Sequence, residues 1–281
     1  MRLFILIGVL AFSSAASAQA APSAQPAFAE RAGLLQFDAR CHVFSADVRL
    51  GVQAGAAQAR GALLRGGWTD AQVDALQQAA ANAADARACN DPDIAQAATR
   101  ARTAFETWAR SSTITFAGGE RAWLARRYPD AAGWRLRQDI PSPAGVFGVR
   151  GDSGAEQLSF AAPLGDGMTA PPAAQLIVRD PNRARANFDV PGRLARGLAA
   201  NAPSPAAAQT FWANARSVQT TPQGRFMVFA FPNAAFQALL ALDPREAVEV
   251  RLGADGQGQR FLIEVGDLVA ARAFLAAAAT R

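Results

Sequence analysis

The chain is 281 residues long, 51% hydrophobic but only 18% charged, with a formal net charge of +5. That length buries a sizeable core without a partner, and so small a charge excess is not the clustered basic surface of a dedicated nucleic-acid binder. One histidine and two cysteines exclude a histidine-rich metal site, and nothing in the composition implies a cofactor.

All 28 basic residues are arginine. Guanidinium groups grip phosphate and carboxylate bidentately, so an anion-binding surface is one reading. The plainer one is a base-composition bias, since Ala and Gly are inflated with Arg.

Met1-Arg2 precedes the apolar run Leu3 to Phe12, and small residues follow through Ala18 and Ala20. A basic start, a short apolar core and an Ala-x-Ala site define a cleavable export signal. As a helix that core would rise only about 15 Å, half a bilayer. Residues 1–20 are therefore expected to be a signal peptide and 21–32 a flexible mature N-terminus. The mature protein is expected to be periplasmic or secreted, with no transmembrane segment.

Ser45 is a good N-cap with Asp47 in the first turn, and Gly66-Gly67 ends a helix over 46–65. Thr69 and Gln72 stand in capping-box spacing, and Trp68 can staple onto Val73, so a second helix runs over 70–88. The short turn between them makes the pair antiparallel. Cys41, before the first helix, and Cys89, after the second, then meet at one end of the hairpin. In an exported chain that pair reads as a disulfide. A catalytic Cys41-His42 pair is disfavoured because adjacent residues in an extended segment point to opposite sides, and zinc would need a carboxylate from elsewhere.

Asp91, Pro92 and Asp93 start a third helix, with Ile94, Ala98, Ala101, Phe105 and Trp108 on its apolar face. A fourth, short helix is expected over 120–128. From Trp134 the pattern changes to short apolar or alternating runs between Gly, Pro, Asp and Asn, which mark strands and turns. Strands are expected over 134–140, 145–149, 157–161 and 175–178, then a helix from Ser204-Pro205 through Trp212. A buried strand over 225–231, a helix over 233–242, a hairpin of 248–252 with 261–265, and a final helix from Gly266-Asp267 to Ala279 complete the chain. The fold class is α+β: a disulfide-stapled helical unit at 33–130, then an α+β unit at 131–281 whose mainly antiparallel sheet carries helices on one face.

Residues 225–278 include Phe231-Pro232, Leu240-Ala241-Leu242, the hairpin, and Val265-Gly266 before the last helix. This stretch, about a fifth of the chain, resembles the C-terminal part of the invasion-associated locus B family of secreted bacterial proteins. The resemblance implies an exported, β-rich, non-enzymatic protein and transfers no functional residue.

Several motifs have ordinary structural explanations. Gly151-Asp152-Ser153-Gly154 matches a serine-protease nucleophile segment but lies between two strands, where those residues make a turn. Gly253 to Gly258 has the wrong glycine spacing for a phosphate loop. Asp91 with Asp93, and Glu246 with Glu249, fall at a helix cap and on an alternating strand.

The feature that invites function is the basic stretch from Arg100 to Arg137, interleaved with Trp108, Trp123, Tyr128 and Trp134. Arginines beside aromatic rings bind anionic or glycan polymers by charge, stacking and cation–π contact. The candidate binding residues are Arg121, Arg126, Arg127, Trp123 and Trp134, with an anionic envelope polymer or another envelope protein as partner. The role expected is non-catalytic binding at the envelope. The alternative is a hydrolase of an envelope polymer working through carboxylates.

Overall fold

The computed structural model describes residues 21–127, 133–152, 155–184, 208–254 and 258–277. The expected signal peptide, and the start of the helix expected at Ser204-Pro205, lie outside these residues. No helix among the described residues is long and apolar enough to cross a membrane.

Four helices come first: α1 (Ala21–Cys41), α2 (Ala46–Arg65), α3 (Asp70–Asp85) and α4 (Pro92–Arg110). The segment expected to be a flexible N-terminus is the first half of α1, which packs on both α2 and α3. It is ordered because Ala24 and Phe28 bury themselves against Leu63, Leu64 and Val73. The caps are as the sequence implies: Ser45 accepts from the N–H of Val48, and Thr69 with Gln72 forms a reciprocal capping box. Asp91 accepts from the N–H groups of Asp93 and Ile94.

Cys41 and Cys89 are disulfide-bonded with Cα atoms 5.6 Å apart, which ties the end of α1 to the turn after α3. Beside the bond His42 takes a left-handed conformation (φ 53°) just past the last turn of α1. That reversal lets buried Asp38 accept from the N–H of Phe44 at 2.7 Å and from Arg49 Nε. Burial pushes the Asp38 carboxyl up, but these hydrogen bonds prevail and hold it below the ordinary carboxylate value.

Among the described residues, eleven strands and two more helices follow. Sheet A has seven antiparallel strands in the order β1-β2-β3-β4-β5-β9-β8. These are β1 (Thr113–Ala117), β2 (Ala122–Arg126), β3 (Gly133–Pro141), β4 (Ala144–Asp152), β5 (Ala155–Pro163), β8 (Ala215–Thr221) and β9 (Gly224–Ala230). Sheet B is β11-β10-β6-β7, from β6 (Ala174–Arg179), β7 (Ala208–Trp212), β10 (Ala247–Leu252) and β11 (Arg260–Glu264), all antiparallel.

The inner faces of the two sheets share one core, with Phe160 of sheet A 4.5 Å from Phe261 of sheet B between ring centres. Helix α5 (Asn233–Leu240) packs on β5 and β6, and α6 (Leu268–Ala276) covers β1 to β3. The α+β class and the staple are thus as the sequence implies, with two sheets where one was expected.

Three expectations are corrected. The helix expected over 120–128 is not found in its described part, residues 120–127, where residues 122–126 are strand β2. Trp123 and Ala125 face the core while Ala122, Leu124 and Arg126 face away, an alternation a helix would scramble. The described end of the segment expected as helix through Trp212 is strand β7, whose backbone pairs with β6. The sheet begins at Thr113, so the helical unit ends near residue 111, ahead of 130.

The β1–β2 turn explains the first correction. Successive N–H groups of Gly119, Glu120 and Arg121 donate to the Glu264 carboxylate at 2.6 to 3.1 Å, a backbone nest filled by the chain's own anion. Gly118 permits it, since a Cβ there would stand 2.1 Å from the Arg121 carbonyl oxygen. Nearby, Trp123 donates its indole N–H to the carbonyls of Glu264 and Val265. The amide of buried Gln138 pairs with both backbone groups of Glu264, at 2.8 and 3.1 Å.

Candidate functional site

The helical unit docks on the sheets where arginine was expected to bind a ligand. Arg127 follows β2 and reaches the ends of two helices. It donates to the Phe274 carbonyl of α6 (2.8 and 2.5 Å) and to Ala109 (2.7 Å) and Trp108 (3.2 Å) of α4. Its guanidinium lies 3.5 Å from the Phe274 ring centre and 4.9 Å from that of Trp108. Cations belong at helix C-termini, where carbonyls lack partners. Arg127 serves two such ends at once.

Arg121 donates to the Leu262 carbonyl at 2.6 Å, tying the β1–β2 turn to β11. Trp123 is 1% exposed and belongs to the core. These three expected site residues are therefore structural, and the expectation that they form one binding surface is corrected.

Arg126 and Trp134 behave differently. The register pairs Leu124 with Arg137 and Trp134 with Arg150, while Leu136 and Val149 pair on the core side. By alternation Leu124, Arg126, Trp134, Arg137 and Arg150 stand on the outer face of sheet A. A bulge between Trp134 and Leu136 places two consecutive residues, Arg135 and Leu136, on the inner side and keeps Trp134 outside. Arg135 accordingly crosses Gly151 toward Glu156, which also pairs with Arg272 of α6.

On the outer face Arg150 lies 5.5 Å from the Trp134 ring centre, within cation–π range. Arg137 is 3.4 Å from Asp139, itself largely exposed. The Nε atoms of Arg126, Arg137 and Arg150 are buried without a hydrogen-bond partner among the described residues. One guanidinium thus lies over the indole and two more share its face of the sheet, with the exposed carboxylate of Asp139 beside Arg137. Such a face suits phosphate, sulfate or carboxylate oxygens, with the ring as a platform for a sugar or planar group.

Arg150 was not among the expected site residues. It lies in the predicted strand's continuation, and only its pairing with Trp134 brings it to the site. Arg126 and Arg127, adjacent in sequence, would share a surface on a helix but point to opposite sides of a strand.

Among the described residues the buried carboxylates are all committed elsewhere. Asp38 is held by Arg49, Glu246 by both nitrogens of Arg179 (2.7 and 2.7 Å), Glu249 by Arg251, and Asp267 by Arg65 (2.8 and 3.1 Å). Burial pushes the Asp267 carboxyl above its ordinary value, against the pull of Arg65. The hydrogen bond to Glu246 raises Arg179 further above its ordinary range. Among the described residues no group of three or more His, Cys, Asp or Glu could hold a metal ion. Ser153 and Gly154 lie outside the described residues, between β4 and β5.

No protein-family model matches this chain, and neither a curated protein nor a solved structure matches it. The resemblance of residues 225–278 to the invasion-associated locus B family rests on the residue pattern alone.

Proposed function

We propose that this chain is an exported, non-catalytic binding protein of the bacterial periplasm or envelope, and that it holds an anionic polymer on the outer face of sheet A. The observation that carries this reading is Arg150 over the Trp134 ring with Arg126 and Arg137 on the same outer face, their three Nε atoms lacking partners among the described residues. Export is supported by the signal-like N-terminus and by the Cys41–Cys89 disulfide, a bond that persists in oxidising compartments.

A hydrolase would need two carboxyl groups facing each other across a cleft, about 5 to 9.5 Å apart. The four buried carboxylates among the described residues are each paired with an arginine, which favours binding over hydrolysis.

The test is calorimetric titration with heparin as an anionic glycan probe, repeated over a range of salt. The triple variant Arg126→Gln, Arg137→Gln, Arg150→Gln is expected to bind at least about tenfold more weakly, or 1.4 kcal/mol, with a shallower salt dependence. Arg121→Gln, which faces Leu262, is expected to change affinity less than twofold. Equal losses from both variants, or none from the triple variant, would refute the assignment.

A further inference from the structure

A second feature lies far along the helical unit and does not depend on the arginine face. Between α1, α2 and α4 is a cavity of about 300 Å³ with a floor of Leu34, Val52, Ala101, Phe105 and Trp108. That is the lower end of the range for small-molecule sites, roughly 300–1,000 Å³. Gly51 and Gly55 of α2 also line it. A Cβ at Gly51 would come 2.5 Å from the Phe105 ring, and one at Gly55 would come 2.9 Å from Arg31 Nε. Both glycines therefore let side chains from neighbouring helices lie directly on the α2 backbone.

Arg31 shares the cavity's polar lining with Glu30, Gln58 and Arg100. One of its Nη atoms donates to the Gly55 carbonyl at 3.0 Å, and it forms no ion pair among the described residues. Burial holds its guanidinium below the ordinary arginine range despite the nearby charge of Glu30. Glu30 is itself engaged by Arg100 at 2.9 Å on the exposed rim. With Glu30 of the same lining held by Arg100, two arginines stand against one carboxylate, and this net positive end beside an apolar floor is matched by an anion that brings its own apolar tail.

We infer that this cavity between α1, α2 and α4 binds a small amphiphilic carboxylate, its head group on Arg31 and its aliphatic tail against Val52, Phe105 and Trp108. The polar group fixes orientation and the apolar floor supplies the area term. The ligand is a free molecule, since the site is a half-open pocket of modest volume and not an extended face.

The experiment uses decanoate titrated into the purified protein by calorimetry, with decanol and decyltrimethylammonium as controls. Decanoate is expected to bind saturably at one site and at least tenfold more weakly to Arg31→Met, with decanol changed less than twofold. Ala101→Phe, which fills the cavity without replacing Arg31, is expected to abolish binding of both. Should Arg31→Met not fold, as judged by circular dichroism, Arg31→Lys is used, and the loss of the planar fork is expected to weaken decanoate alone. The inference is overturned by absent saturable binding, or by equal affinity for decyltrimethylammonium. It is also overturned by decanoate binding indifferent to Ala101→Phe, or by binding only to phosphatidylglycerol vesicles.

Discussion

Arg127 separates a structural arginine from a ligand-binding one, and its replacement by methionine gives the sharpest test. Methionine keeps an aliphatic stem between Trp108 and Phe274 but removes every donor. The carbonyls of Phe274, Ala109 and Trp108 then lose the guanidinium, and the ring contact at 3.5 Å loses its charge. Hydrogen bonds to a charged group contribute roughly 1.5–3 kcal/mol each. The side chain is half-buried and water can reach part of the site, so each of the three carbonyls is discounted to about 0.7–1 kcal/mol. A partly desolvated cation–π contact adds about 1 kcal/mol. The sum is about 3–4 kcal/mol, which at 2–4 °C per kcal/mol for a chain of this size lowers Tm by about 10 °C. Urea unfolding followed by circular dichroism measures it, and heparin titration of the folded variant gives affinity. A Tm within about 2 °C of the parent, or a heparin loss matching that of the Arg126, Arg137 and Arg150 variant, would refute the double-cap role.

Replacing both Cys41 and Cys89 with serine opens a constraint spanning 48 residues and is expected to lower stability by up to about 4 kcal/mol in the chain-entropy model. Comparing urea midpoints with and without a reductant, in parent and variant, checks it, since the reductant should affect only the parent. Gly118→Ala forces a Cβ to 2.1 Å from a backbone oxygen and is expected to cost more than about 2 kcal/mol. A wild-type midpoint for that variant would mean the β1–β2 turn relaxes freely. Asp38 has a folded pKa below its ordinary value, so the folded state releases its proton more readily than the unfolded one. Its contribution is complete above the ordinary carboxylate pKa and is lost as pH falls through the depressed folded value. Stability of Asp38→Asn should therefore fall less between pH 7 and pH 3 than that of the parent, by denaturant unfolding at each pH. Asp267, raised by burial, acts with the opposite sign, so its ionisation costs stability as pH rises through its folded value.

Local chemistry alone determined much of the first half. The ends of α2, α3 and α4 follow from caps at Ser45, Thr69 and Asp91, whose hydrogen bonds reach only a few residues along the chain. Two antiparallel helices of similar length then bring Cys41 and Cys89 together, so the staple was legible without a structure. The β10–β11 hairpin was equally legible from its alternating strand and Gly-rich turn, although the fold buries both faces of β10, Glu249 included.

The remainder was decided by partners distant in sequence. Residues 21–32 lack any helix signal stronger than their composition and are ordered by the apolar surface of α2 and α3. Strands β2 and β7 carry residues that suit a helix nearly as well, and sheet neighbours settle them. The same choice set the fate of the arginines. As a strand, β2 sends Arg126 to the outer face that carries Trp134 while the next residue, Arg127, turns inward to two helix ends. Composition could show that arginine and tryptophan were near one another in sequence. Which guanidinium groups meet solvent and which cap helices depends on the register of a sheet assembled from both halves of the chain, and no local signal encodes that register.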